Sequence, residues 1–143
     1  MTVLDAFAVL ALLKGEPAAP EVRSLIQGGE AMITPVGVAE VVDQLIRITK
    51  ATEEDAVLDV AQLGLPTTDP VDDEHGLRAG LLRARHYHRK DRAVSLADCL
   101  GADAARTLNM ALATSDPHLL DLCHAEGIAV IPLPDSNGDR WSP

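Results

Sequence analysis

Asp5, Glu40, Asp98 and Asp116 are the side chains in this sequence whose type and placement suggest chemistry. Asp5 ends an apolar run, Asp116 follows another, and Asp98 opens a helical stretch. Glu40 lies at most two turns into the helix after the second apolar run. Carboxylates at strand ends and helix starts converge where the strands of an open α/β sheet terminate, the usual ligand crevice. Oxygen donors there suit Mg²⁺ or Mn²⁺, which bind through a few carboxylates and keep waters. Each acid also has a structural use. Asp5 and Asp116 can cap helices, the latter directly before Pro117. Ser95-Leu96-Ala97-Asp98 fits a capping box, and Glu40 shares a polar face with Asp43, Gln44 and Arg47. Spacing alone leaves both readings open.

The elements that must position these acids follow from apolar periodicity. Strands are expected at Val3-Leu4, residues 31–33, residues 65–68, residues 109–113 and residues 128–131. The third is weak and edge-like because it contains Pro66. Helices are expected over residues 6–13, 21–27, 35–50, 53–63, 72–86, 95–106 and 117–125. Gly15, Gly28-Gly29 and Gly64 act as stops, and Thr34-Pro35 supplies a start. Strands alternating with helices predict a parallel α/β sheet. Residues 1–133 form the expected domain, and residues 134–143, with Asn137-Gly138, a loose tail.

Four segments, in chain order Val3-Leu4-Asp5-Ala6, Val38-Ala39-Glu40-Val41-Val42, Ser95-Leu96-Ala97-Asp98-Cys99-Leu100 and Thr114-Ser115-Asp116, closely resemble the PIN-domain family. Within it they resemble the VapC-type toxins of bacterial toxin–antitoxin pairs. The resemblance implies a five-stranded parallel sheet flanked by helices and a Mg²⁺-dependent endoribonuclease, with Mn²⁺ able to substitute. It makes Asp5, Glu40, Asp98 and Asp116 the catalytic and metal-binding set, with Asp116 either ligating directly or orienting a water. It also implies a cognate VapB-like antitoxin that occludes the pocket, and a homodimer. The chain departs from the family pattern at Phe7, where Ser or Thr is common, and at Gly37, where Asn is frequent. Asp103, five residues beyond Asp98, should point away from the site.

At 143 residues the chain suffices for one domain with its own core. It is 47 % apolar, and Phe7, Tyr87 and Trp141 are its only aromatics, so the core must be aliphatic. A net charge of −10 argues against a polyanionic partner in general. However, six of the twelve Lys and Arg residues fall between Arg78 and Arg92. If the helix runs through this segment, Arg78, Arg85, Arg89 and Arg92 form one stripe able to grip an RNA backbone. An ordinary solvated face is the plainer alternative. Few aromatics exclude a broad base-stacking platform.

Cys99 and Cys123 read as small buried hydrophobes. No Cys-Xaa-Xaa-Cys pair or His-Glu-Xaa-Xaa-His helix organises His86, His88, His118, Cys123 and His124 for zinc. A phosphate-binding glycine loop and a nucleophile elbow are absent, and Asp5-Ala6 lacks the paired acids of a phospho-receiver. The run from Leu4 to Leu13 is interrupted by Asp5 and too short to span a bilayer, which leads us to expect a cytoplasmic protein without membrane contact. A non-catalytic module whose acidic pocket captures an Arg-bearing protein is the rival from another functional class, and a DNA nuclease a lesser one.

Overall fold

The computed structural model describes residues 1–143, with elements β1 (Thr2–Leu4), α1 (Ala6–Lys14), α2 (Ala19–Gln27), β2 (Ala31–Ile33), α3 (Pro35–Arg47), α4 (Glu53–Gln62), α5 (Asp73–His86), α6 (Leu96–Thr107), β3 (Ala111–Thr114), α7 (Pro117–Glu126) and β4 (Val130–Pro132). The strands form one parallel sheet in the order β2-β1-β3-β4. Side chains alternate across a strand, so neighbouring residues enter different layers. Leu4 and Ala113 pack with α1, α2 and α3, around Val9, Val22, Val41 and Leu45. Val3 and Leu112 pack on the opposite side with α5, α6 and α7, around Leu82, Leu119 and Leu122. Cys99 and Cys123 are fully buried in this second layer.

The sheet has four strands rather than the expected five. The segment 65–68 does reach the outer edge of β2, but only as a bridge between Ile33 and Thr67. Ile33 N–H donates to the Pro66 carbonyl at 3.0 Å and Thr68 N–H to the Ile33 carbonyl at 2.9 Å. Pro66 has no N–H to extend the ladder, and Pro70 follows closely.

β3 and β4 each begin about two residues later than periodicity suggests. Asn109 adopts a positive φ of 55°, and Met110 N–H donates back to Ala105 at 2.8 Å. Gly127 turns likewise at φ 70°, and Ile128 N–H donates to Cys123 at 2.9 Å. The first apolar residues after each helix thus complete its C-cap before the strand can start.

Residues 134–143 do not hang free. Trp141 Nε1 donates to Asp121 at 2.7 Å, and Arg140 pairs with Glu21 and donates to the Pro132 carbonyl at 2.9 Å. These partners lie far away in sequence, which is why local composition suggested a loose end. No helix is long and apolar enough to cross a membrane.

Candidate active site

Every strand of a parallel sheet ends on the same edge, and here the residues after those ends carry the acids. The chain runs from β1 outward to β2, then crosses to β3 on the other side of β1. The order reverses between β1 and β3, which opens a crevice at their carboxyl ends. Asp5 follows β1 and Asp116 follows β3. Leu4, Asp5, Thr34, Gly37, Glu40, Asp98 and Gly101 are among the residues lining the cleft, which α3 and α6 close from above.

Both readings of the aspartates turn out to share one geometry. Asp5 caps α1, with Oδ1 accepting from Ala8 N–H at 2.8 Å. Asp116 caps α7, with Oδ1 accepting from His118 N–H at 2.9 Å. Ser95 and Asp98 form a complete capping box at 2.8 and 3.0 Å. Helix starts lie at the sheet's carboxyl edge, so a capping carboxylate is delivered to the crevice by the same turn that starts the helix.

Thr114, which is not among the expected site residues, joins two of them. Its buried hydroxyl donates to Asp5 Oδ2 and accepts from Asp116 N–H at 3.0 Å. A Thr two residues before a strand-end Asp is the visible signal of such a side-chain turn.

The electrostatics are one-sided. None of Asp5, Glu40, Asp98 and Asp116 takes part in a salt bridge. Burial pushes the Asp5 carboxyl up to about 7, against the Thr114 and Ala8 hydrogen bonds that favour its ionised form, and Asp98 and Asp116 add repulsion. Burial likewise raises Asp98, opposed by the Ser95 amide and reinforced by Asp116. Glu40 is raised by burial, then by Asp98 and Asp43.

These are hard oxygen donors lacking a counter-cation, a set that fits Mg²⁺ or Mn²⁺. No three of them converge into a ready-made ligand shell. Sulfur donors are unsuited, because burial pushes the Cys99 thiol up to about 11 and the Cys123 thiol up to about 12.

Gly37 follows from packing. A Cβ there would lie 2.7 Å from Ile33 Cγ1 and 3.2 Å from Thr34 Oγ1. Gly37→Asn, which would restore the commoner family residue, is therefore expected to lose about 1–3 kcal/mol through overpacking. A thermal melt reads this, and an unchanged melting temperature would show that Ile33 yields freely.

The expected arginine stripe does not form. α5 ends at His86, Tyr87 is extended, and a His88–Arg92 bridge closes a tight hairpin. Arg78 lies elsewhere, its Nε donating at 3.1 Å to both oxygens of fully buried Asp103, which points away from the site as expected. Arg85 pairs with Glu126 at 3.0 Å, and Arg92 donates to His86 Nδ1 at 2.8 Å. Only Arg89 of that quartet remains unpaired. Periodicity cannot anticipate these partners, since Asp103 and Glu126 lie on α6 and α7.

Comparison with known proteins agrees with this architecture. The family model of the PIN domain matches residues 2–125. No curated protein matches the chain. Similar solved structures include FitAcB from Neisseria gonorrhoeae, with TM-score 0.65 at 16 % identity, covering 92 % of this chain and 96 % of that one. VapBC2 from Rickettsia felis, bound to a DNA fragment from their promoter, gives 0.64 at 15 % identity, covering 91 % and 96 %. PAE2754 from Pyrobaculum aerophilum gives 0.60 at 17 % identity, covering 85 % and 84 %. At such identities the likeness is one of fold.

Proposed function

The chain belongs to the PIN-domain family, and from that premise we propose that it is a VapC-type toxin, a Mg²⁺-dependent endoribonuclease neutralised by a cognate VapB-like antitoxin. The observation that carries the reading is the set of four carboxylates at the switch point of the sheet, Asp5, Asp98 and Asp116 held by caps and Glu40 carried on α3, all left without any Lys or Arg partner.

In this reading Asp5, Glu40 and Asp98 would hold the cation, and Asp116 would ligate it or orient a water. When bound, the ion offsets phosphate charge and lowers the pKa of water for in-line attack. The protein's own part is positional. Thr114 sets Asp5 against Asp116, Ser95 locks Asp98, and the His118 amide aims Asp116. The absence of a local cation leaves the pocket's repulsion for metal, or for an arginine of the antitoxin, to relieve. Exposed Val57 and Leu58 on α4 and Leu77 and Leu81 on α5 offer apolar area to an antitoxin or a second copy, in keeping with a homodimer.

The lack of a ready-made ligand shell favours one alternative, a non-catalytic module whose pocket accepts an arginine of a protein partner. The partner-free protein decides between them. With Mg²⁺ or Mn²⁺ it is expected to cleave single-stranded or structured RNA, and with EDTA to cleave none, as read by sequencing RNA ends. Cleavage of DNA alone, or none with either metal, would overturn the reading.

A further inference from the structure

The His88–Arg92 hairpin is tied to the acidic site on two sides. His118 Nδ1 lies 3.1 Å from the Asp91 carbonyl, so the ring donates there. The amide of the same residue holds Asp116. Along the chain, the hairpin leads through Val94 into Ser95 and the box that fixes Asp98.

The hairpin is also braced from behind. An arginine can only donate, so the contact from Arg92 Nη1 at 2.8 Å makes His86 Nδ1 the acceptor. The opposite nitrogen, Nε2–H, then donates to Glu126 Oε1. Within the turn, Lys90 and Asp91 amides donate to His88 Nδ1 at 3.3 and 3.1 Å.

These braces occupy Arg92 but leave the tip alone. Of the six cations between Arg78 and Arg92, Arg78, Arg85 and Arg92 are paired and Arg83 donates to the Val94 carbonyl while lying over Tyr87. Arg89 and Lys90 are exposed, and their side chains make no ion pair or hydrogen bond. Arg89 and Lys90 are thus free cations in a hairpin that His118 ties to the turn holding Asp116. Screening confines such charges to roughly 10 Å at 0.1 M salt, so only cations beside the site can offset its repulsion of a phosphate chain.

We propose that this hairpin is the backbone clamp of the site: Arg89 and Lys90 bind phosphates of the RNA strand flanking the scissile bond, and His118 is the positioning residue that holds the clamp against the pocket. The inference rests on the ribonuclease reading above. It replaces the four-arginine stripe with a two-residue clamp and gives His118 a role beyond its amide.

Steady-state cleavage of a labelled RNA oligonucleotide in Mg²⁺ at several salt concentrations tests it. The double variant Arg89→Ala/Lys90→Ala should raise KM about tenfold with kcat nearly unchanged, because phosphate contacts position rather than react. Its dependence of log KM on log salt should shallow by about 1.4, roughly 0.7 for each phosphate of a single strand that is no longer neutralised. His118→Ala keeps the amide that holds Asp116 but frees the hairpin, and should raise KM in the same direction. His118→Asn retains a side-chain donor for the Asp91 carbonyl and should recover part of the loss. Both cations are exposed, so the double variant should fold, which circular dichroism verifies. A wild type that cleaves while the double variant keeps its KM and salt slope would overturn the clamp, leave the ribonuclease reading intact, and point the two cations toward an acidic protein partner. A wild type that cleaves no RNA would overturn both.

Discussion

Asp98→Asn and Asp116→Asn are each expected to lower RNA cleavage by about a thousandfold while keeping the fold and without lowering the melting temperature of the metal-free protein. The reason lies in the double use of these carboxylates. As caps they need one acceptor oxygen, which the Asn amide supplies equally well: Asp98 accepts from Ser95 N–H and Asp116 from His118 N–H. As partners of a divalent cation they need negative charge, which Asn lacks. A metal is worth several kcal/mol of transition-state stabilisation, and each 1.36 kcal/mol is about tenfold in rate. Activity and stability are therefore expected to separate. If both fell together, the loss would be one of fold; if neither fell, the acids would be only caps and the metal mechanism would be wrong. Single-turnover cleavage and thermal melts on the same preparations distinguish these results.

The metal-free protein is expected to become more stable as pH falls from 8 to 5.5, the reverse of a protein governed by its ion pairs. Asp5 titrates near 7 in the folded state against 3.8 as its ordinary value. Between those values the folded chain binds more protons than the unfolded one, so stability declines as pH rises through the window. Full ionisation costs about 4 kcal/mol, of which about 2 kcal/mol is recovered between pH 8 and 5.5. That corresponds to roughly 6 °C in melting temperature. Asp98 and Glu40 are raised too and act in the same direction.

Asp5→Asn keeps the α1 cap and removes the charge, so in EDTA at pH 8 it should melt above the wild type and lose most of the pH dependence. Saturating Mg²⁺ should stabilise the wild type by about 2.7 kcal/mol at a hundred times its dissociation constant, and the variant by less. A wild-type melting temperature that is flat or rising with pH in EDTA would contradict the buried, uncompensated Asp5. No Mg²⁺ shift at millimolar concentration would count against a metal at this site.

Much of this protein is decided locally and is therefore legible in its sequence. Thr34 before Pro35, Ser95 three residues before Asp98, Asp116 before Pro117 and Gly15 after Lys14 all mark helix ends that depend on groups within a turn of one another. In a parallel sheet those helix starts share an edge, so the positions of Asp5, Asp98 and Asp116 followed from the same short segments. The family pattern could be found for this reason: its words are cap sequences that also carry the acids.

What only the tertiary structure decided depends on groups far apart along the chain. Pro66 could be seen to weaken a fifth strand, but its reduction to one bridge at Ile33 required the sheet itself. The linkages of Asp5 to Thr114 and of Arg140 to Glu21 span the chain, and that of Arg78 to Asp103 joins two helices. No periodicity records them. The basic segment shows the difference most clearly. Composition counts its cations as equals, whereas the fold brings Asp103 to Arg78, Glu126 to Arg85 and His86 to Arg92, and leaves Arg89 and Lys90 in solvent. A charge is available to a ligand only where the fold brings it no internal partner, and for Arg78 and Arg85 that partner comes from α6 and α7.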